Sequence, residues 1–382
     1  FSEKAGMVML AIGLMSGTSL DGVDAALVKF NGDKVELLNF AMLKYDQDFK
    51  DKIFRNLNND TAKLSEISTL NFELGYKFKY AIDEVLKGTG YSYNDIEFVA
   101  SHGQTIWHDP QGNPPSTLQI GEPSIISYLT NIKVISNFRT MDVASGGEGA
   151  PLVPFSEYYQ FRSDTKNIVL QNIGGISNLT YLKKGCSLDD IISFDCGVGN
   201  IMIDYFTNKY FSKPYDEGGN IALSGQIIPE VLAYLKQDKF VTKLPPKSTG
   251  REQYSQAFMD KMASELNFDK YNKNDIITTI TEFTVYGISY NYLEFIKDID
   301  VAVICGGGSH NNYILKRLKE ILKLNVLKGE EFGINSDAKE AVAFAILGYM
   351  TINNKPSNVK KATGAKDDVI LGNITLSPKE NV

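Results

Sequence analysis

Ile12-Gly13-Leu14-Met15-Ser16-Gly17-Thr18-Ser19-Leu20-Asp21-Gly22-Val23-Asp24 is the stretch that decides the fold. An apolar run, 10–15, enters a turn rich in glycine and hydroxyls and returns as a second run, 23–30. A third, 34–43, follows an Asn-Gly-Asp turn. Short apolar runs separated by such turns read as strands joined in hairpins. Backbone N–H groups, two hydroxyls and the carboxylates of Asp21 and Asp24 crowd at the first turn. A glycine turn lets N–H groups converge on phosphate oxygens, and a carboxylate can hold magnesium directly or through water. Ser-Gly-Thr-Ser and Asp-Gly are also ordinary hairpin-turn chemistry, so these residues alone leave both readings open.

The same opening recurs in the second half, with strands at 167–172, 177–182 and 191–195 and Gly174-Gly175 at the first turn. Between the two openings, helical patterns cover 47–57 and 64–87. A strand at 98–101 ends in His102-Gly103-Gln104-Thr105, and a helix at 122–130, with Pro123 in its first turn, precedes a strand at 133–136. Helices at 201–209, 226–237, 253–266 and 276–295 lead to a strand at 301–305 closed by Gly306-Gly307-Gly308. Helices at 311–322 and 338–350 come last. The pattern implies an α/β protein of two like domains flanking a cleft: residues 1–138, then 139–354, with 355–382 returning to the first.

At 382 residues the chain exceeds one core of ordinary size, and 43% hydrophobic with 22% charged residues suits a folded globular enzyme. A net charge of −7 argues against a broad basic face for nucleic acid or anionic lipid. Cys186, Cys196 and Cys305 are odd in number and contain no Cys-x-x-Cys pair. A disulfide framework or zinc site is thus unsupported, and thiols in a reducing cytoplasm are expected. The apolar stretch 7–15 is too short for a membrane span and runs straight into the glycine turn, so it reads as a first strand rather than a signal peptide.

Several residues are candidates for chemistry. Asp195, at the end of the 191–195 strand, is placed to accept a proton from an attacking nucleophile, or else to cap the helix that follows. Cys305 to Asn311 leave a strand and open a helix, so Gly307, Gly308 and Asn311 can meet a nucleotide, although such turns also serve packing alone. His102 and His108 flank Gln104, Thr105 and Trp107, a cluster suited to a sugar. As metal ligands the two histidines lack a third partner at suitable spacing. Arg139 can pair with a substrate carboxylate or make a structural ion pair. Glu340, near the start of the last long helix, suits either the site or the helix dipole. No Gly-x-x-x-x-Gly-Lys-Ser/Thr motif and no dinucleotide fingerprint exist.

Residues 12–24, Ser101-His102-Gly103-Gln104-Thr105, Asn172 to Asn178, Phe194-Asp195 and Gly306 to Asn311, in that order, resemble the anhydro-N-acetylmuramic acid kinase family from about residue 9 to 350. The resemblance implies the acetate and sugar kinase, Hsp70 and actin fold, with two actin-like (ribonuclease H-like) domains. It further implies ATP and Mg2+ as cofactors, an amino sugar as substrate, a cytoplasmic homodimer and a role in peptidoglycan recycling. By resemblance Gly17, Thr18, Ser19, Leu20, Asp21, Gly22, Val23 and Asp24 form the first phosphate loop, with Asp21 toward the metal. Gly174 and Gly175 belong to the second loop, Gly307, Gly308 and Asn311 lie near the nucleoside, and Asp195 matches the catalytic base. His102, Gln104, Thr105, Arg139 and Glu340 are the expected sugar contacts. Cys196 and Val198 replace Thr and Pro of the family's Asp-Thr-Gly-Pro-Gly-Asn, and Glu148 replaces Gln of Gly-Gly-Gln-Gly-Ala-Pro. Competing readings are a sugar kinase acting on a free hydroxyl, a nucleotide-driven actin- or Hsp70-like protein, and a sugar sensor without ATP turnover.

Overall fold

The computed structural model describes residues 8–17, 19–250 and 253–378. Thr18 of the first loop lies outside the described residues. Twelve strands run in chain order among them: β1 (Val8–Ser16), β2 (Gly22–Asn31), β3 (Lys34–Lys44), β4 (Ile96–Asp109), β5 (Ser116–Ile120), β6 (Lys133–Ser136), β7 (Ile168–Ile173), β8 (Ile176–Leu182), β9 (Ile192–Val198), β10 (Val301–Cys305), β11 (Asn325–Lys328) and β12 (Asn373–Thr375). They form two sheets, β12-β6-β4-β1-β2-β3 with β5 on β4, and β11-β10-β7-β8-β9.

The repeat read from the glycine turns is a repeat of topology. Each sheet begins with an antiparallel three-strand meander, β1-β2-β3 or β7-β8-β9. Parallel strands then add on the far side of its first strand, β4 and β6 in one sheet, β10 and β11 in the other.

The chain divides into two compact units, residues 1–160 with 337–382, and 161–336. The expected boundaries at 138/139 and 354/355 therefore move. The stretch after Asn137 is not a bare crossing: it forms the helices Phe138–Ala144 and Val153–Phe161. The helix Lys339–Ile352, assigned above to the second half, packs on the first sheet.

Both faces of the first sheet are buried, and period-2 alternation divides their residues. Leu10, Ile12 and Leu14 join Leu70, Leu74 and Phe78 of the helix Leu64–Leu86 in one core. On the other face lies Lys339–Ile352, where the Tyr349 ring stacks on Phe30 at 4.3 Å. This helix approaches so closely that a Cβ at Gly13 would overlap the Ala341 carbonyl. Glycine at 13 thus sets the depth at which Glu340 sits. The second unit gathers its core around the helix Lys273–Phe295, whose Ile276, Ile280, Phe283 and Ile288 pack with Val198, Met202 and Ile304. No helix among the described residues is long and apolar enough to cross a membrane.

Candidate active site

The first loop follows from the antiparallel turn of β1 into β2. Leu20 N–H bonds to Gly17 O at 3.2 Å and Leu20 takes a left-handed φ of 57°. Leu20 and Val23 bury their side chains in the core, so only their backbone is available to a ligand. Asp21 is exposed, 3.6 Å from the Lys50 ammonium. Asp24, in β2, is half-buried and raised to about 7, first by desolvation and then by repulsion from Glu340, Asp337 and Asp21. Among the described residues no three His, Cys, Asp or Glu side chains are grouped to hold a metal. The repulsion at Asp24 still suits a cation that arrives partly hydrated with a phosphate, as magnesium does, rather than in an all-protein cage.

Five residues were expected at the sugar, and the structure sorts them. Arg139 acts on both His102 and Glu340. Arg139 Nε lies 3.0 Å from His102 Nε2, and Arg139 Nη1 donates to Gly149 O at 2.7 Å. Guanidinium can only donate, so His102 Nε2 accepts and Nδ1–H points to Gly103 O at 2.8 Å. Burial, then the Arg139 charge, hold His102 down at about 3. Arg139 is pulled down to about 10 by desolvation, while the Glu340 and Asp142 carboxylates act to keep it charged. Glu340 is solvent-accessible, yet the surrounding protein raises its carboxyl against the lowering effect of Lys339 and Arg139. Its neighbour Lys339 is tied to Glu157 by a buried ion pair of 2.5 Å.

Gln104 and Thr105 are otherwise engaged. Ser16 Oγ donates to Gln104 Oε1 at 2.6 Å, which leaves Tyr45 OH, 2.8 Å away, to donate to Ser16. The buried Gln104 side chain thereby ties β4 to β1. Thr105 Oγ1 accepts from Gln119 Nε2 at 3.3 Å. A cavity of about 310 Å3 opens beside the middle of β4 and the C-terminal end of β6, lined by Ser101, His102, Gln119, Glu122 and Asn137. His108 lies on the hairpin beyond, with Nδ1 2.9 Å from Thr117 Oγ1. Glu148 is exposed and accepts from Gln111 Nε2 at 3.1 Å.

The sequence reading missed Asp142. It is fully buried, and its carboxylate accepts from Gly149 N, Thr363 Oγ1 and Asn358 Nδ2 at 2.8, 2.8 and 3.1 Å. It fixes the loop whose carbonyl holds Arg139. An aspartate three residues after that arginine, before a glycine run, was the available signal.

In the second unit, the β7–β8 turn docks on the start of the helix Ile201–Phe211. Gly174 O accepts from Asn200 N at 2.7 Å, and Gly175 O accepts from Gly199 N at 2.8 Å. In a trans peptide the C=O and the following N–H point oppositely, so the Gly175 N–H faces away from that helix. A Cβ at Gly174 would meet no atom nearer than 3.6 Å, and the turn is open to a ligand. After β10, Gly306 takes φ 78° and Gly307–His310 coil as a 3-10 turn. The buried Asn311 caps the helix Asn312–Leu322, its side chain accepting from Ile314 N at 3.2 Å.

Asp195 does not end its strand, because Cys196, Gly197 and Val198 continue β9, and the helix cap position falls to Asn200. The capping role weighed for Asp195 therefore lapses. Half-buried in mid-strand, Asp195 has Oδ2 held by Thr249 N at 2.8 Å and Ser248 Oγ at 3.1 Å. Burial raises its carboxyl, against the lowering effect of these bonds and of Lys247. Among the described residues no donor reaches Oδ1.

A model of the anhydro-N-acetylmuramic acid kinase family matches residues 9–377. The chain belongs to this family. It is 47% identical over 382 residues to an anhydro-N-acetylmuramic acid kinase of Clostridioides difficile (strain 630), covering 97% of this chain and 99% of that one. A kinase of the same description from Bacillus thuringiensis subsp. konkukian (strain 97-27) is 46% identical over 383 residues, covering 97% and 100%.

Proposed function

We propose that this kinase uses ATP and water to open 1,6-anhydro-N-acetylmuramic acid, giving N-acetylmuramic acid 6-phosphate and ADP in cell-wall recycling. The observation that carries the reading is Asp195, a half-buried carboxylate with one oxygen held by two donors and the other without a described donor. In the 1,6-anhydro sugar the 6-oxygen is tied to carbon 1 and has no proton to lose. Water therefore attacks carbon 1 while Asp195 Oδ1 takes its proton. The bond from carbon 1 to the 6-oxygen breaks, and that oxygen takes the γ-phosphoryl group as the bond to ADP breaks.

The N–H groups of the 17–24 turn and of Gly175, with Gly307 and Gly308, cradle the phosphates in this reading. Asp24 and Asp21 hold magnesium, which neutralises charge on the phosphates. His102, Arg139 and Glu340 face the sugar, with the Arg139 cation toward its carboxylate. Gln104, Thr105 and Asn311 act indirectly, by holding β4, β5 and the last glycine loop. The enzyme works in the cytoplasm, where its ATP is, and as a homodimer, which sedimentation of the purified chain checks.

Asp195→Asn tests the base. Turnover falls by about 10²- to 10⁴-fold while calorimetry still shows ATP binding. Turnover within a few-fold of the unaltered enzyme overturns the assignment.

A further inference from the structure

Beyond the base itself, the segment 247–249 has a construction that packing alone does not require. Lys247 is buried, and its ammonium donates to Phe240 O and Val241 O at 3.1 and 2.7 Å, the carbonyls of the short helix Lys239–Thr242. It lies 5.7, 5.1 and 5.3 Å from the ring centres of Phe194, Phe240 and Phe295, contacts that offset part of the desolvation that pulls this ammonium down to about 8. The Lys247 carbonyl accepts from Asp195 N at 3.1 Å. The next two residues supply the donors on Oδ2, Ser248 from its hydroxyl and Thr249 from its backbone. Ser248 is itself exposed, so its hydroxyl has no core to fill.

We propose that Ser248 and Thr249 are positioning residues that take up Oδ2 of Asp195 and turn Oδ1 toward the water, and that buried Lys247 is the peg fixing them in place. The inference rests on Asp195 being the base. Two donors on one carboxylate oxygen restrict rotation of the group and favour its ionised form, the form a base needs. The groups acting electrostatically around it are Lys247, Tyr254 and Cys196, with Asp238 bonded to Tyr254 OH at 2.7 Å and Lys243 beside Lys247. Of these Lys247 lowers the Asp195 carboxyl.

The test is single-turnover phosphorylation of 1,6-anhydro-N-acetylmuramic acid, at saturating ATP and magnesium, followed from pH 5 to 9 in the unaltered enzyme and in Ser248→Ala, Ser248→Thr and Asp195→Asn. Loss of the hydroxyl removes a donor to the ionised carboxyl, so in Ser248→Ala the acid limb moves up by about 1 pH unit. The rate near neutrality falls roughly 10-fold, with the sugar KM within about twofold. Ser248→Thr restores both. An unmoved acid limb in Ser248→Ala, or a Thr variant no better than Ala, overturns the positioning role while leaving the base intact. If Asp195→Asn retains both rate and pH profile, the base assignment fails first and takes this inference with it.

Discussion

Arg139 Nε meets His102 Nε2 at 3.0 Å, and this contact adds to burial in keeping the histidine neutral. A protonated ring would place two cations and two donors face to face, so His102 stays neutral. The ring also packs against Phe344, 4.6 Å between centres, on the helix that carries Glu340. The cation at Arg139 is thus aimed by a neutral acceptor on one side and by the Asp142-held loop on the other.

His102 should show no titration between pH 8 and 4 in ring-nitrogen NMR. Its folded pKa, about 3, lies below the roughly 6.5 of an unfolded histidine. Below pH 6.5 the unfolded chain binds the extra proton, so this group's stability is present above 6.5 and lost as pH falls toward 3. The slope is at most about 1.4 kcal/mol per pH unit, and His102→Gln should reduce it in urea titrations. A ring that titrates near 6.5 contradicts the Arg139 contact.

Asp24 makes the opposite prediction. Its folded pKa of about 7 exceeds that of an unfolded aspartate, so its contribution is present below about pH 4 and lost as pH rises through 7. Asp24→Asn should raise Tm most at pH 8, raise it less at pH 5 and leave it nearly unchanged below about pH 4. If Asp24 takes magnesium as proposed, binding of the magnesium nucleotide at pH 7 should release up to about half a proton. Calorimetry in two buffers of different ionisation heat measures that release, and none would count against the magnesium role.

Two glycines separate binding from folding. Gly174→Ala has room for its methyl group and should keep the Tm of the unaltered chain while raising the ATP KM by about tenfold, the equivalent of one charge-assisted hydrogen bond. Gly306→Ala meets both a left-handed φ of 78° and Asn172 Oδ1 at 2.7 Å. With ψ at 178° this backbone is in a region essentially reserved for glycine, at a cost of order 1–3 kcal/mol, so this variant should lose Tm. Equal Tm losses in the two would contradict the open β7–β8 turn.

The hairpin openings were legible because their apolar runs are punctuated by glycine turns. The apolar pattern of β4 stops at Ser101, yet the strand continues to Asp109. Its buried polar residues His102 and Gln104 are satisfied by Arg139 and Ser16, partners distant in sequence, and their polarity disguises a strand. β5, β11 and β12 are five residues or fewer and mix polar with apolar residues, so they lack the apolar run that marks the equally short β10. The Asp195 motif was visible, but the strand beyond it was not, since Gly197 at φ 125° looks like a turn residue. Nothing in the local sequence ties Ser248 or Thr249, more than fifty residues away, to that carboxylate. Gln104 shows the converse: a polar residue in a site motif whose side chain serves the sheet.

In the proposed reaction, water opens the anhydro ring as the 6-oxygen is phosphorylated. The measurement is mass spectrometry of the product formed from 1,6-anhydro-N-acetylmuramic acid, ATP and magnesium in water enriched in oxygen-18, read before the free sugar exchanges. The expected product is a 6-phosphosugar with heavy oxygen at carbon 1 and none in the transferred phosphoryl group. A phosphosugar with its anhydro ring intact, or no phosphosugar while ATP binds, would contradict it.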